Sequence, residues 1–190
     1  MTNCSEVDIR STRIALRPFT AQDANEAFSC ITPTLTRFMT WNPPASRQDF
    51  DDVWQSWLPL IYDGSNVVFV VRDALNAQFL GLAGVHRTRT TTPELGIWIR
   101  EDRHGHGFGQ EAVTAVARWA SSWFQPASFL YPVAEENQAS RRIAESLGGR
   151  VIERLQQPKY MSVVYEIPSR QGVRAYALDD IGTKGNPPQN

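Results

Sequence analysis

At 190 residues, 42% hydrophobic and 21% charged, the chain suits one domain that buries roughly 70% of its unfolded surface, and it is too apolar and aromatic to be disordered. Its 19 basic and 20 acidic side chains give a net charge of −1, without the basic excess of a nucleic-acid-coating protein, so no direct nucleic-acid binding is expected. No apolar run approaches the roughly 18 residues of a membrane span, residues 1–10 lack a signal-peptide core, and two cysteines are too few for a disulfide framework, which together predict a cytoplasmic protein with no membrane partner.

The first strand is predicted over residues 13–17, where apolar and charged positions alternate until Pro18. Thr20 with Asp23 three residues on reads as a helix start that buries Ala24, Ala27 and Phe28. Residues 32–44, rich in Thr and Pro, read as a loop that still carries Leu35, Phe38, Met39 and Trp41. Ser46 with Asp49 opens a second helix, with Phe50, Val53, Trp54, Trp57, Leu58 and Ile61 at helical spacing, Pro59 expected to kink or end it and Gly64 to close it. The period then changes. Residues 67–71 read as a fully buried strand, followed by strands over 79–86 and 94–99 in a meander. A Gly-rich segment, 103–109, runs into a long helix over about 108–124. A strand at 129–133, a short helix from Asn137 to Leu147 stopped by Gly148-Gly149, and a last strand at 161–167 complete a mixed α/β order. The expected organisation is a flexible segment at 1–10, one domain at 11–168 and a polar tail at 169–190 that is mobile or crosses to a second subunit, so the protein is a monomer or homodimer.

Residues 94–112, ELGIWIREDRHGHGFGQEA, concentrate the chemistry. A strand feeds a loop with Gly105, Gly107 and Gly109 at every second place, and a helix begins at once. Glycines let backbone approach an anion, and the unpaired amides of a helix start point at it. The segment is neither a P-loop nor a dinucleotide fingerprint, because no Gly-Lys-Ser/Thr follows and the glycine spacing is wrong. A phosphate cradle and a tight turn that happens to be Gly-rich both stay open on spacing alone.

The block resembles the acyl-coenzyme A (CoA) loop of the GNAT N-acetyltransferase superfamily, whose pattern is Arg/Gln-x-x-Gly-x-Gly/Ala at a helix start. Over about residues 11–167 the chain is similar to the ribosomal-protein alanine/serine N-acetyltransferase branch, through TRIALRP at 12–18, ELGIW at 94–98 and NQASRRIAE at 137–145. The resemblance implies a single α/β (α+β) domain whose mixed, mostly antiparallel twisted sheet splays between two parallel strands, with helices on both faces. It implies acetyl-CoA as co-substrate, an amine as acceptor and no metal. The diphosphate would sit on His104, Gly105, His106, Gly107, Phe108, Gly109 and Gln110, the pantetheine arm beside Ile97, Trp98 and Ile99, and the thiol near Asn137 and Ser140, with Trp41 in a loop facing the acceptor. Three positions depart from the family's habit: His104 replaces Arg or Gln, Gly149 an aromatic, and Ala144 a Tyr general acid.

Acyl transfer needs a neutral amine, and an α-amino group near pKa about 8 or a lysine near about 10 is mostly protonated at pH 7. A carboxylate can take that proton directly or through one water. Glu94, sharing a strand face with Gly96 and Trp98, is expected at the mouth of the loop as that base; its alternative is a solvated edge residue. Ser140 could donate to the leaving thiolate, and amides around Trp98 could hold the oxyanion. His86, His104 and His106 could in principle ligate zinc, but a glycine-rich turn does not hold two of them as a strand would. Asp49, Asp51, Asp52 and Asp63 would attract a cationic amine if their helix borders the acceptor cleft. A non-catalytic acyl-CoA sensor is the alternative function.

Overall fold

Five consecutive apolar residues, Val67 to Val71, are all buried, as expected of a strand covered on both faces. The computed structural model describes residues 3–169. Its strands are β1 (Ile9–Arg10), β2 (Ile14–Pro18), β3 (Val67–Asp73), β4 (Phe79–His86), β5 (Glu94–Ile99), β6 (Ser128–Ala134), β7 (Arg150–Gln156) and β8 (Met161–Pro168). Its α-helices are α1 (Ala24–Ser29), α2 (Pro33–Thr36), α3 (Arg47–Tyr62), α4 (Phe108–Phe124) and α5 (Gln138–Ser146). The strands form one sheet in the order β1-β2-β3-β4-β5-β6-β8-β7, antiparallel throughout except for β5 and β6.

Helix α4 lies across β1, β2, β4 and β5 and touches α5, whereas α1 and α3 pack together against β4 and β3. On the α4 side Trp119 meets Phe69 edge-on at 5.1 Å. On the other, Phe19 sits between Trp54 and Trp57 at 6.1 and 5.3 Å. Ser46 caps α3 by accepting from the Asp49 amide. Pro59 does not end that helix, which runs on to Tyr62; so close to the C-terminus a proline removes only one ladder hydrogen bond.

Three expectations need correction. Residues 33–36 form a short helix rather than loop, because Thr32 Oγ1 accepts from the Leu35 amide and Pro33 takes the first helical place. Strand β7 was not expected; every one of its residues is exposed, so it carries no burial alternation. The N-terminal segment is engaged from its first described residues, since Cys4 is fully buried and Ile9–Arg10 pairs with β2. The polar tail beyond Ser169 lies outside the described residues. An aromatic at position 149 would not fit this backbone: any Cβ there would come within 2.7 Å of the Ala144 carbonyl oxygen.

Candidate active site

Strand β5 pairs with β4 along its whole length, from Glu94 opposite His86 to Ile99 opposite Gly81. On its other edge it pairs with β6 at one place only, Glu94 opposite Leu130, where the Leu130 amide also reaches the Pro93 carbonyl at 2.9 Å. Beyond that point the two parallel strands separate. Backbone groups on the opened edge need partners, and an extended ligand can supply them along Ile97, Trp98 and Ile99. Trp98 itself is steadied by Phe79, ring centroids 5.8 Å apart.

At the wide end of the gap lies the glycine loop. Gly105 and Gly107 have φ of +79° and +80°, values that L side chains tolerate poorly. Among the described residues no acceptor takes the amides of Gly105, His106, Gly107, Phe108, Gly109 and Gln110; backbone pairing resumes with Glu111, which donates to the Gly107 carbonyl. Six successive unpaired amides at the start of a 17-residue helix make an anion nest reinforced by the helix dipole. His104 does not join it. Its amide is spent on Glu101 and its Nε2 lies 2.6 Å from the Ile99 carbonyl. His106 Nδ1 contacts the His104 carbonyl and its ring stacks on Phe108. Gln110 reaches sideways to Ser146 on α5.

Arg13 holds this loop in shape. Its guanidinium donates to the His106 carbonyl at 2.9 Å, binds Glu111 at 2.8 Å and lies over the Phe108 ring. The residue stood in the opening motif, but nothing in its spacing revealed a partner 93 residues away.

Across the gap, Asn137 Oδ1 caps α5 by accepting from the Ser140 amide at 3.1 Å, so its carbonyl oxygen has a structural task. The Ser140 side chain bears on the Tyr131 phenol of β6 and favours its ionised form, but burial outweighs it. Burial pushes the Tyr131 phenol well above the ordinary tyrosine range, so it stays protonated. Tyr131 was not expected from sequence, because one apolar-flanked tyrosine in a strand reads as core. Ala144 is buried.

Glu94 lies at the closed end of the split, not at the mouth of the loop. The strand places it five residues from Ile99, roughly 17 Å away. It is half-buried, and burial raises its pKa, partly offset by the Arg87 guanidinium, whose Nη2 lies 2.5 Å from Oε2. His86, its cross-strand partner, is also half-buried, and burial, then Arg87, hold its pKa below the usual value. Arg89 binds Asp63.

The segment around Trp41 is pinned from two sides. Lys159, in the turn between β7 and β8, donates to the Thr36 and Trp41 carbonyls at 2.9 and 2.7 Å and to Asn42 Oδ1 at 3.1 Å. Thr32 Oγ1 donates to Glu101 at 2.5 Å. Lys159 is one of two lysines in the chain, yet nothing local foretold its partners. Trp41 remains 40% exposed. The acidic residues of α3 have local work: Asp51 pairs with Arg47 and accepts from Trp54, Asp52 accepts from Gln48, and Asp49 accepts from Ser46. No group of three or more His, Cys, Asp or Glu side chains able to hold a metal ion occurs among the described residues, nor does a helix long and apolar enough to cross a membrane.

A family model described as an acetyltransferase (GNAT) domain matches residues 13–150. No curated protein sequence matches the chain. Among solved structures, RimJ of Mycobacterium smegmatis with a CoA-disulfide superposes with a TM-score of 0.78 at 16% identity, covering 90% of this chain and 91% of that one. RimL, a ribosomal L7/L12 α-N-protein acetyltransferase in complex with CoA, gives 0.78 at 15% identity over 87% and 100%. A spermidine N-acetyltransferase from Vibrio cholerae, with CoA and spermine, gives 0.73 at 18% over 85% and 98%.

Proposed function

Since the chain belongs to the GNAT acetyltransferase family, we propose that it moves the acetyl group of acetyl-CoA to a primary amine by direct attack in a ternary complex. The observation that carries this is the single β5–β6 pair at Glu94 and Leu130, which leaves a strand edge open between a row of free amides and a half-buried carboxylate. The loop amides from Gly105 to Gln110 bind the diphosphate, as the chemistry of a glycine nest at a helix start favours. The pantetheine arm follows the open edge of β5 past Ile99, Trp98 and Ile97, and its thioester lies toward Glu94 and Ser140.

The acceptor enters on the face shared by Glu94, Gly96 and Trp98, beside Trp41. Glu94 takes the amine proton, for which a raised carboxylate pKa is suited. The amine nitrogen bonds to the acetyl carbon, the carbon–sulfur bond breaks, and the thiolate takes a proton from Ser140 or water. Backbone amides of β5 near Trp98 stabilise the tetrahedral oxyanion. The acceptor is a protein N-terminus or a small-molecule amine. With two cysteines in the chain, a reducing compartment such as the cytoplasm suits it.

A panel of serine- and alanine-initiated peptides, polyamines and simple amines, followed by release of free CoA thiol, tests the proposal. Turnover on a primary amine is the expected result. Tight binding of acetyl-CoA without turnover on any amine would favour a sensor instead.

A further inference from the structure

We infer that His86 belongs to the acceptor site and, with Glu94, holds the ammonium group of the incoming amine. His86 acquires this role only if acetyl transfer takes place at Glu94, as proposed above.

Four features of the β4–β5 pair lead there. His86 and Glu94 are directly paired across the two antiparallel strands, so their side chains leave the sheet on one face. The next pair on that face is Gly84 opposite Gly96, two residues without side chains where packing would normally want them. The imidazole lies in that trough. A Cβ on Gly84 would come within 2.7 Å of Nε2, and one on Gly96 within 3.6 Å.

Second, no described residue offers either ring nitrogen of His86 a hydrogen bond, although the ring is half-buried. His104 and His106, by contrast, each contact a backbone carbonyl. Third, burial and the nearby Arg87 cation keep the ring neutral at pH 7, so one nitrogen carries a lone pair. Fourth, the charged groups beside it are Arg87 and Glu94, and these two are paired, which leaves Glu94 short of the negative charge needed to hold a cation alone. A second acceptor, the lone-pair nitrogen of His86, adds a hydrogen bond to that cation. An ammonium has more than one N–H to give: one goes to the Glu94 carboxylate, which takes that proton before the freed lone pair attacks, while another is held by His86. The amide product is uncharged, so both contacts weaken and it leaves.

The test uses the full-length protein loaded with CoA, with a serine-initiated hexapeptide and spermidine as probe amines. The imidazole Hε1 resonance of His86 should move on adding a probe amine and stay in place on adding a tetramethylammonium control. In steady-state assays with whichever amine is acetylated, His86→Leu should raise its KM about tenfold, the loss expected for one hydrogen bond to a charged group. The KM for acetyl-CoA should stay within about twofold. His86→Gln, which keeps an acceptor atom, should recover most of the loss, and Gly84→Ala, which displaces the ring, should mimic it. An unmoved His86 resonance with both amines, or an unchanged amine KM in His86→Leu, would overturn the inference. Unchanged turnover in Glu94→Gln would overturn the proposed base, and the role of His86 with it, even where the His86 resonance moves.

Discussion

The Arg87 guanidinium lies 2.5 Å from the Glu94 carboxylate at the point where β5 and β6 part. Burial raises the pKa of Glu94, and the Arg87 charge opposes that rise. A general base must be ionised, so the acid limb of the pH–rate profile follows its pKa. Arg87→Ala removes the opposing charge and should move that limb to higher pH. Because Arg87 is 56% exposed, solvent screening keeps the move small. Glu94→Gln should lower turnover by about 10²-fold or more and abolish the limb. Profiles of kcat/KM against pH for the three proteins check this; an unmoved limb in Arg87→Ala would assign it to another group.

The glycines of the loop are not equivalent. Gly105 and Gly107 occupy positive φ, and a Cβ on Gly107 would also stand 3.4 Å from the Arg13 guanidinium. Alanine at either position should cost about 1–2 kcal/mol, the penalty of a left-handed conformation, and weaken CoA binding by turning amides away. Gly109 has ordinary helical backbone, and the nearest neighbours of a Cβ there are the Ile143, Ile99 and Ile97 side chains at 3.5 Å and beyond. Gly109→Ala should therefore be neutral or slightly stabilising. Urea denaturation and CoA titration of the three variants would reveal the order.

What the sequence made legible follows from what each feature depends on. The Gly105–Gly109 run, the α4 start at Phe108 and the Glu94 strand are local patterns, and they lie where periodicity and turn chemistry place them. The splay is not local: it was expected through resemblance, and only the strand register pins it to Glu94 and Leu130. β7 escaped notice because a fully exposed edge strand has no alternation for periodicity to find. Arg13, Tyr131 and Lys159 escaped because their partners lie on other elements, so no spacing encodes them. Residue type alone groups His86 with His104 and His106 as metal ligands, whereas the sheet register sets it beside Glu94 and away from both.

Asp23 is fully buried yet ionised. Burial alone would raise its pKa, but hydrogen bonds from Arg17, Arg72 and Thr20 together bring it below the ordinary aspartate value. Arg17 grips both oxygens at 2.8 and 2.6 Å, and Arg72 adds a contact at 2.9 Å. A carboxylate with a depressed folded pKa contributes stability above its unfolded value, about 3.9, and loses that contribution as pH falls through the folded value. Asp23→Ala should destabilise by about 2–3 kcal/mol at pH 7, less than a fully buried pair because Arg17 can rehydrate. The gap between wild type and variant should narrow below about pH 4. Urea midpoints from pH 7 to pH 2.5 would show it; a gap independent of pH would mean that packing, not the ion cluster, carries the cost.

The Ser140 side chain acts on the buried phenol of Tyr131. With the phenol kept protonated by burial, a turn of both hydroxyls that lets Tyr131 donate to Ser140 Oγ would leave the serine proton free to point toward the gap. If Ser140 protonates the departing thiolate, the two residues act as one unit, and units of this kind are not additive on mutation. Ser140→Ala should slow turnover by about tenfold, a modest loss because a thiolate leaves readily without help. Tyr131→Phe should reproduce most of that loss while costing about 1 kcal/mol of stability. The double variant should be no slower than Ser140→Ala alone. Multiplicative losses in the double variant would instead give Tyr131 a separate role in packing the β6 side of the split, and single-turnover acetyl transfer at saturating amine distinguishes the two.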